Sequence, residues 1–490
     1  MKKIITSVLV LVLLAACCCT VLTACDNRDY DYTIVLYTQQ NDNLQGITQT
    51  AIDRFEAKYP GWHVDHQVQS GGYNGLRNKI SADLPAKKQP DIAYCYADHV
   101  SLYMQSGQVI DVSKYINNTG YASYVPNANE VETTEELITT NYVIGYTEDE
   151  IANFIESYYN EGKATNFTDY DKYGFTADAM LMMPFAKSTE VMYYNQNALD
   201  AVGLKPAETW DELWAQIPTL QAAYPNATVL GYDSESNWFI TESERQGWGY
   251  TSTDANNHYL FNNDQAAAWL DSLKGYRTQI QSQQKYEAYT SNLFKLGVGK
   301  KADGTSVDKG DGGGVIYCVG STGGAKNQAT NNFTVGVTHV PYSKINGQVL
   351  TGEAGNSDLC ISQGPSFVML KSQKAKNPDQ KALMTWMFLK ELYNPSILAA
   401  VAQEQGYCSP MYDTAEQVEE YANFLKGTSV IAQATKIAEE LSKSGKVFTS
   451  PAFVGSSNAR DQVGNALLSI INGTAANGKL ALQEAYNNCL

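Results

Sequence analysis

The sequence is poor in residues that hold transition metals. It has five histidines among 490 residues, and only His63 and His66 lie close together among candidate ligands. Both fall on a segment expected to be a strand, where residues three apart point to opposite faces and do not share a metal. None of the nine cysteines forms a CxxC pair, the spacing typical of zinc sites. The sequence therefore predicts no metal site and no cofactor.

Closely spaced cysteines are also absent from the main body of the chain. Four of the nine lie in the first 25 residues, and the other five are more than forty residues apart: Cys95, Cys318, Cys360, Cys408 and Cys489. Because five is odd, at least one thiol stays free or pairs between molecules. We expect most of them to be reduced and buried, or close to a cleft, rather than joined in a structural disulfide.

Positive charge is scarce. The chain has 35 lysines and arginines against 52 acidic residues, a net charge of −17. This balance argues against nucleic acid or an anionic membrane surface as the natural partner.

The only long apolar run of the sequence lies within its first 25 residues. Lys2 and Lys3 precede an apolar segment from Ile4 to Val21, the layout of a bacterial secretion signal. Its end, Leu22-Thr23-Ala24-Cys25, resembles a lipobox. We therefore expect residues 1–24 to be a removed signal peptide, Cys25 to carry the lipid, and residues 25–32 to form a tether at the extracellular face of the membrane. A plain secretory signal or a transmembrane anchor is the alternative, although the threonines and serine in the run weaken a spanning helix.

Common catalytic motifs are absent as well. There is no Gly-x-Ser-x-Gly elbow, and the glycine-rich stretch from Gly320 to Asn327 lacks the residues that flank the lysine of a phosphate loop. A lipid-anchored glycoside hydrolase stays open as an alternative, because it needs only two suitably placed carboxylates. A surface adhesin without a small-molecule ligand is a further alternative.

The residues that are present indicate an α/β protein of two or three domains. Residues 33–37, 62–68 and 91–96 read as strands separated by helices, and the rhythm resumes with a strand at 191–194 and a helix opening at Thr209. Residues 118–180 are harder to interpret and contain one plausible helix, 148–159. The glycine-rich residues 297–314 suggest a mobile loop.

Several strings resemble the extracellular solute-binding proteins of ABC importers, in the branch with maltose-binding and glycerol-3-phosphate-binding proteins. The strings, in the order and spacing of that family, are Pro90 to His99, Pro184 to Asn195, Thr209 to Glu212, Gly320-Ser321, Gln363 to Ser366 and Gly406 to Pro410. The resemblance implies an α/β, two-lobe periplasmic-binding-protein-like fold (type II), with discontinuous lobes joined by hinge strands. Lobe one would comprise residues 33–187 and 346–393, and lobe two residues 188–345 and 394–490. The segment 118–180 is longer than the usual connection in the family.

Candidate binding residues follow from the ends of strands, where ligands sit in open α/β sheets. Gln39 follows the first strand, and residues 96–98 follow the third. A sugar needs hydrogen-bonding groups for its hydroxyls and aromatic faces for its C–H surfaces. The chain offers candidates of both kinds: Gln39, Asp98, Ser188 and Glu190 for the hydroxyls, and Tyr73, Tyr96, Trp238, Trp248 and Tyr407 for the ring faces.

The family resemblance implies ligand contacts most directly for Asp98 and Ser188, and it places Ser321, Gly364 and Tyr407 along the cleft. Each of these also has a structural interpretation. Asp98 could cap the following helix, Ser188 could satisfy a strand end, and Trp238 and Trp248 could be packing residues.

The ligand class is indicated by a departure from the family pattern. Glycerol-3-phosphate binders place an arginine after the Gly-Tyr-x-Pro motif, whereas this chain has Met411 and Tyr412 there. We therefore expect a neutral sugar or oligosaccharide, captured by closure of the lobes and passed to an ABC permease.

Overall fold

The computed structural model describes residues 29–490 except 123, 133, 135–141 and 255. The signal peptide predicted for residues 1–24, the lipidation predicted at Cys25 and the first half of the tether lie outside the described residues. Among the helices that are described, none combines the length and apolar character needed to cross a membrane.

The strands are numbered in chain order. They are β1 Thr33–Thr38, β2 His63–Val68, β3 Ile92–Cys95, β4 Tyr121–Ala122, β5 Tyr142–Val143, β6 Met183–Pro184, β7 Glu190–Asn195, β8 Thr228–Tyr232, β9 Ile280–Ser282, β10 Val315–Ser321, β11 Val335–His339, β12 Cys360–Ile361, β13 Ser366–Met369 and β14 Val447–Phe448.

The α-helices are numbered likewise. They are α1 Asp42–Lys58, α2 Gly72–Asp83, α3 Ala97–Met104, α4 Ser113–Ile116, α5 Glu148–Ala152, α6 Glu156–Glu161, α7 Gln196–Asp200, α8 Trp210–Ala223, α9 Glu235–Gln246, α10 Asp264–Ser272, α11 Gln283–Tyr286, α12 Ser291–Phe294, α13 Ala325–Gln328, α14 Pro378–Leu392, α15 Pro395–Gln405, α16 Thr414–Gln417, α17 Glu419–Leu425, α18 Val430–Lys443, α19 Ser456–Asn472 and α20 Gly478–Asn487.

Two five-stranded sheets give the molecule two lobes. The first has the order β2-β1-β3-β13-β6, and the second β11-β7-β10-β8-β9. In the first sheet β1, β2 and β3 are parallel, and β13 runs antiparallel to β3. In the second, β8 is parallel to β9 and β10, whereas β7 is antiparallel to β10 and β11. The predicted α/β class and two-lobe fold are therefore confirmed.

Three chain segments cross between the lobes side by side. The first runs from β6 to β7, the second from β11 to β13, and the third follows α15. Lys187 in the first bridges to Cys408 in the third, and Ser188 bridges to Gln363 in the second. The backbones are joined by pairs of hydrogen bonds, such as Ser188 N to Gln363 O at 2.9 Å and its reciprocal at 2.7 Å. We refer to these three segments as the crossings.

The predicted lobe boundaries stay a prediction, and the packing qualifies them at two places. Cys360 and Ile361, which were assigned to lobe one, pack in the apolar core beneath the second sheet. Ile397 and Leu398 of α15, which were assigned to lobe two, pack in the core of the first. Both segments lie near the crossings, where chain position is a poor guide to the side on which a residue is buried.

The segment 118–180 differs from its predicted form. The single helix expected over 148–159 is two helices, α5 and α6, because Ile155 adopts an extended backbone and donates its N–H to Pro410 O at 2.8 Å. The segment contributes to both apolar cores: Phe154 packs in the first and Tyr158 in the second.

The glycine-rich loop over 297–314 is held by one carboxylate. Asp308 accepts hydrogen bonds from the backbone of Val298 and Gly299 at 2.9 and 2.8 Å and from the Asn195 amide at 2.7 Å. These bonds anchor the loop to β7 rather than leaving it unattached, so the expectation of a mobile loop lacks support.

The five cysteines in the described part of the chain all carry free thiols. Cys95, Cys318, Cys360 and Cys408 are buried, and Cys489 is half-buried. Burial raises the pKa of the Cys360 thiol to about 11 and that of Cys408 to about 12, so both stay protonated at neutral pH.

Candidate functional site

A cleft of about 600 Å³ lies between the two lobes. It is bordered by residues that follow the carboxyl ends of β1, β3, β8 and β10 and by the crossings. This is the position at which open α/β sheets bind ligands, and the volume suits a small organic molecule.

Nine of the eleven predicted binding residues line this cleft. They are Gln39, Tyr73, Tyr96, Asp98, Ser188, Glu190, Ser321, Gly364 and Tyr407. They come from seven separate stretches of chain, which the fold brings to one place.

An aromatic wall is built by three tyrosines. Tyr73 at the start of α2 and Tyr96 before α3 meet edge to face, with ring centroids 4.9 Å apart. Tyr407, from the third crossing, shares a side-chain hydrogen bond with Tyr73. Its ring lies so close to Gly323 that a Cβ there would be 2.5 Å from a ring carbon. Burial raises the pKa of Tyr73 and Tyr96, so their hydroxyls remain hydrogen-bond donors.

Asp98 connects the two lobes. Its carboxylate accepts a hydrogen bond from the backbone N–H of His99 at 3.0 Å, and a second from the hydroxyl of Ser457 at the start of α19 in the opposite wall. Burial is the largest single influence on the Asp98 carboxyl and opposes its charged form, whereas His99 and the Ser457 hydroxyl favour it. Together with Arg460 and Arg77 they hold the pKa of the Asp98 carboxyl below its ordinary value. Asp98 is therefore an anion that contacts α19 of the opposite wall.

Glu190 is the buried acid of the cleft. Its carboxylate accepts hydrogen bonds from Tyr232 at 2.6 Å and Asn237 at 2.7 Å, and the Gln363 amide lies 3.4 Å away. Burial raises its pKa to about 7, although the two donors act in the opposite direction. Glu190 is therefore close to half-protonated at neutral pH.

The crossing residues meet at the floor of the cleft. The Ser321 hydroxyl lies 3.2 Å from that of Ser188, and it also accepts from Gly323 N. Gly364 has a φ of +83°, and a Cβ at this position would lie 2.0 Å from Ala186 O. A side chain there would separate the first and second crossings, which accounts for a glycine beside the ligand space.

The two tryptophans, Trp238 and Trp248, are not among the residues that line this cleft, unlike the other nine predicted binding residues. Trp238 is buried in the second core, where its ring stacks on Tyr232 at 4.8 Å and on Trp210 at 5.1 Å. Trp248 packs against Trp269, with ring centroids 5.8 Å apart. The face of α9 that meets the cleft carries Asn237 instead.

Sequence reasoning missed several residues of the polar wall in lobe two. They include Asp233, Asn237, Gln328 and Arg460, and lobe one adds Arg77. The signal for Asp233 was available, because it directly follows the apolar run from Thr228 to Tyr232, which forms β8. Arg460 lies on α19, in a part of the chain without a motif, and its guanidinium reaches Asn237 only through the tertiary fold.

The charged groups lining the cleft give it an excess of negative charge. They comprise five carboxylates, Asp98, Glu161, Glu190, Asp233 and Asp461, and three cations, Arg77, Lys187 and Arg460. Lys187 and Glu161 neutralise each other at 2.7 Å. The remaining groups favour ligands that offer hydrogen-bond donors over ligands with a concentrated negative charge.

About half of the chain is similar in sequence to named proteins. The chain is 28% identical over 237 residues to the sn-glycerol-3-phosphate-binding periplasmic protein UgpB of Yersinia pestis, covering 46% of this chain and 48% of the relative. The corresponding protein of Salmonella typhimurium is 27% identical over 231 residues, covering 45% and 46%. The match spans about half the length of these curated relatives.

Solved structures resemble nearly the whole chain. UgpB of Mycobacterium tuberculosis, in complex with glycerophosphocholine, superposes with a TM-score of 0.67 at 16% identity, covering 93% of this chain and 97% of that one. The cyclic alpha-maltosyl-1,6-maltose binding protein of Arthrobacter globiformis gives 0.62 at 13% identity, with the same coverage. At these identities the likeness establishes the fold.

The family follows from a match that extends over most of the sequence. The profile of the family described as bacterial extracellular solute-binding protein matches residues 50–426, which include the second sheet, the first sheet apart from β1, and all three crossings. The chain belongs to this family of bacterial extracellular solute-binding proteins.

Proposed function

We propose that the chain is the lipid-anchored receptor of an ABC importer, which captures a sugar or short oligosaccharide by lobe closure and delivers it to a permease. The family consists of binding proteins, so the chain is a solute-binding protein rather than a glycoside hydrolase or an adhesin without a ligand. The observation that carries the ligand class is the cleft itself, in which a tyrosine wall faces a wall of carboxylates, amides and hydroxyls.

The two walls match the two surfaces of a sugar. Tyr73 and Tyr96 offer ring faces and edges to the C–H surface, while Asp233, Asn237 and Gln328 meet the hydroxyls. Each lobe supplies a different set of contacts, so a ligand makes all of them only when the lobes approach. Closure is then favoured because the ligand binds the closed state better than the open state.

A phosphorylated ligand suits the cleft less well. The residue that follows Gly406 to Pro410 is Met411, which is buried in the core of the first lobe and points no cation at the cleft. Of the two arginines present, Arg460 is bonded to Asn237. The nearby carboxylates Asp98 and Asp461 would repel a phosphate dianion.

The ligand class is tested by calorimetric titration of the purified chain with maltose, maltotriose, glycerol 3-phosphate and glycerophosphocholine. We expect a sugar to bind with a micromolar dissociation constant, about −8 kcal/mol, and to be recovered unchanged. Saturable binding of either glycerol phosphate compound with no response to sugars would reject the neutral ligand. Release of shorter sugars would reject a pure binding role.

The anchor is tested separately by the Cys25→Ala variant. Without the thiol that carries the lipid, the chain should be released from the membrane fraction while its ligand affinity is unchanged. A variant that fractionates with the membrane as the original does would count against lipidation.

A further inference from the structure

The segment 118–180 supplies a helix that contacts all three crossings. Helix α6 is only six residues long, yet its two inward side chains, Tyr158 and Glu161, are 0% and 4% exposed. The Tyr158 hydroxyl lies 3.2 Å from the Cys408 thiol of the third crossing. The Glu161 carboxylate lies between the first and second crossings.

Glu161 joins two crossings through charge-assisted bonds. One oxygen accepts from the Lys187 ammonium of the first crossing at 2.7 Å, and the other from the Ser362 hydroxyl of the second. Lys187 also donates to Gly364 O at 3.1 Å. Both charged side chains are nearly inaccessible to solvent, at 2% and 4% exposure, so neither charge can be rehydrated cheaply if the contact opens.

Backbone bonds fix the same segment on either side of α6. Ile155 N donates to Pro410 O, and Tyr412 N donates to Asn153 O, both at 2.8 Å. Further along, Thr168 N donates to Ala452 O at 2.8 Å, in the loop that leads to α19. The segment is therefore attached to the third crossing and to the approach to the polar wall.

We propose that residues 153–168, within the segment 118–180, form a hinge brace, in which Glu161 is a positioning residue. Lobe motion requires backbone rotation within the crossings. Because Glu161 and Tyr158 tie the crossings to one helix, the crossings move together and the lobes follow one narrow path. The brace also fixes Ser188 and Gln363, the direct neighbours of Lys187 and Ser362, at the floor of the cleft.

The inference goes beyond the proposed function, since it concerns the ligand-free molecule and holds whichever solute is bound. It is tested by electron-paramagnetic-resonance distances between nitroxide labels on the two lobes, at Gln49→Cys on α1 and Gln221→Cys on α8. Both positions are exposed, and Cys489→Ser removes the half-buried native thiol. Without ligand, the labelled chain with Glu161 and Lys187 unaltered should give a single narrow distribution of distances between the two labels.

The informative variant is Glu161→Met with Lys187→Met, which removes both charges together. Replacing a whole buried ion pair by apolar side chains is often neutral for stability, whereas Glu161→Gln alone leaves a buried ammonium without its carboxylate. We expect the double variant to keep a Tm near that of the unaltered chain. The distribution of distances between the two labels should become at least twice as wide. The single variant should lower Tm most.

A matched control is provided by Lys381 and Asp91, which form a buried ion pair at 3.1 Å inside lobe one. Lys381→Met with Asp91→Asn should leave the distance distribution narrow, whatever happens to Tm. A double variant at Glu161 and Lys187 with an unbroadened distribution would overturn the brace. So would equal broadening in the control.

Discussion

The two walls of the cleft are built in different ways. The tyrosine wall is contributed chiefly by lobe one, where Tyr73 and Tyr96 pack edge to face at helix starts. The opposite wall comes from lobe two and is held by hydrogen bonds rather than ring contacts: Arg460 donates to Asn237, and the Thr290 hydroxyl donates to Asp233.

This difference in chemistry predicts that the two walls contribute differently to ligand affinity and to ligand selectivity. Ring faces accept many sugars because they contact C–H surfaces without requiring a particular hydroxyl arrangement. Carboxylates and amides at fixed positions reject a ligand that leaves them unpaired, since each buried unpaired group costs about 1–3 kcal/mol. We therefore expect the tyrosine wall to set how tightly ligands are held in general, and the polar wall to set which of them are accepted.

The largest effect is expected at Asp98, which contacts both walls. Asp98→Ala removes a charged acceptor that is 24% exposed to the cleft, and the affinity for the sugar found by titration should fall by at least about a hundredfold. Calorimetry measures the affinity, and circular dichroism shows whether the fold is kept.

Ser457→Ala distinguishes a ligand contact from an inter-lobe contact at Asp98. It removes the cross-cleft hydroxyl and leaves the carboxylate in place. If it reproduces the whole loss seen with Asp98→Ala, then Asp98 acts by holding the lobes together and the assignment as a ligand contact fails.

The second expected effect is that the free energy of unfolding depends on pH, because Glu190 in the polar wall titrates. Its pKa of about 7 in the fold exceeds the ordinary value of 4.5, so the folded state binds more protons than the unfolded state between these limits. Protonated Glu190 therefore adds roughly 3 kcal/mol to the free energy of unfolding. This contribution is fully present below pH 4.5 and is lost as the pH rises through 7. Urea unfolding at pH 5 to 8 measures the slope.

Glu190→Gln supplies the comparison, because it keeps the shape and removes the titration. The slope of the unfolding free energy against pH over this window should be less negative in the variant by the contribution of one proton. Equal slopes in both proteins would show that Glu190 is ionised throughout and that the polar wall carries a full charge there.

A smaller effect is expected in the tyrosine wall. Tyr96→Ala removes one ring of the edge-to-face pair, and the affinity for every sugar that binds should fall about tenfold, or about 1.4 kcal/mol. Tyr96→Phe keeps the ring and should retain most of the affinity. A loss confined to one sugar would assign selectivity to this wall and contradict the division between the two.

The smallest effect on binding is expected at Trp248. Because its indole packs on Trp269 outside the cleft, Trp248→Phe should change affinity by less than about twofold and lower stability by about 1 kcal/mol. The two quantities are measured by calorimetry and by urea unfolding of the same preparation. A marked loss of affinity with unchanged stability would return Trp248 to the binding surface.

Much of the fold was predictable because local signals were consistent. The strands over 33–37 and 191–194 and the helix opened by Thr209 were found close to their observed limits, and Thr209 accepts from Glu212 N at 3.2 Å as expected of a cap. The short helices of residues 118–180 were not found, since their form depends on contacts such as Ile155 N with Pro410 O.

The site was predictable where a residue follows a strand or lies in a family string. Asp98 and Ser188 were found in this way, and Asp233 should have been. The position of Trp238 in the second core was not predictable, because the aromatic residues suited to sugars are also those suited to cores, and composition does not tell which face of α9 is buried. Arg460 was missed because its approach to Asn237 joins residues 223 positions apart.

By itself the sequence determined the α/β class, the two-lobe family and several of the loops that line the cleft, because alternation, capping and motif strings are local properties of the chain. The tertiary structure decided which side chains share the cleft, that Asp98 bonds to Ser457 across it, and that Glu161 meets Lys187 and Ser362 beneath it. These contacts join residues 26 to 359 positions apart. Burial of two apolar cores brings such residues together, and no local pattern in the chain records which of them will meet.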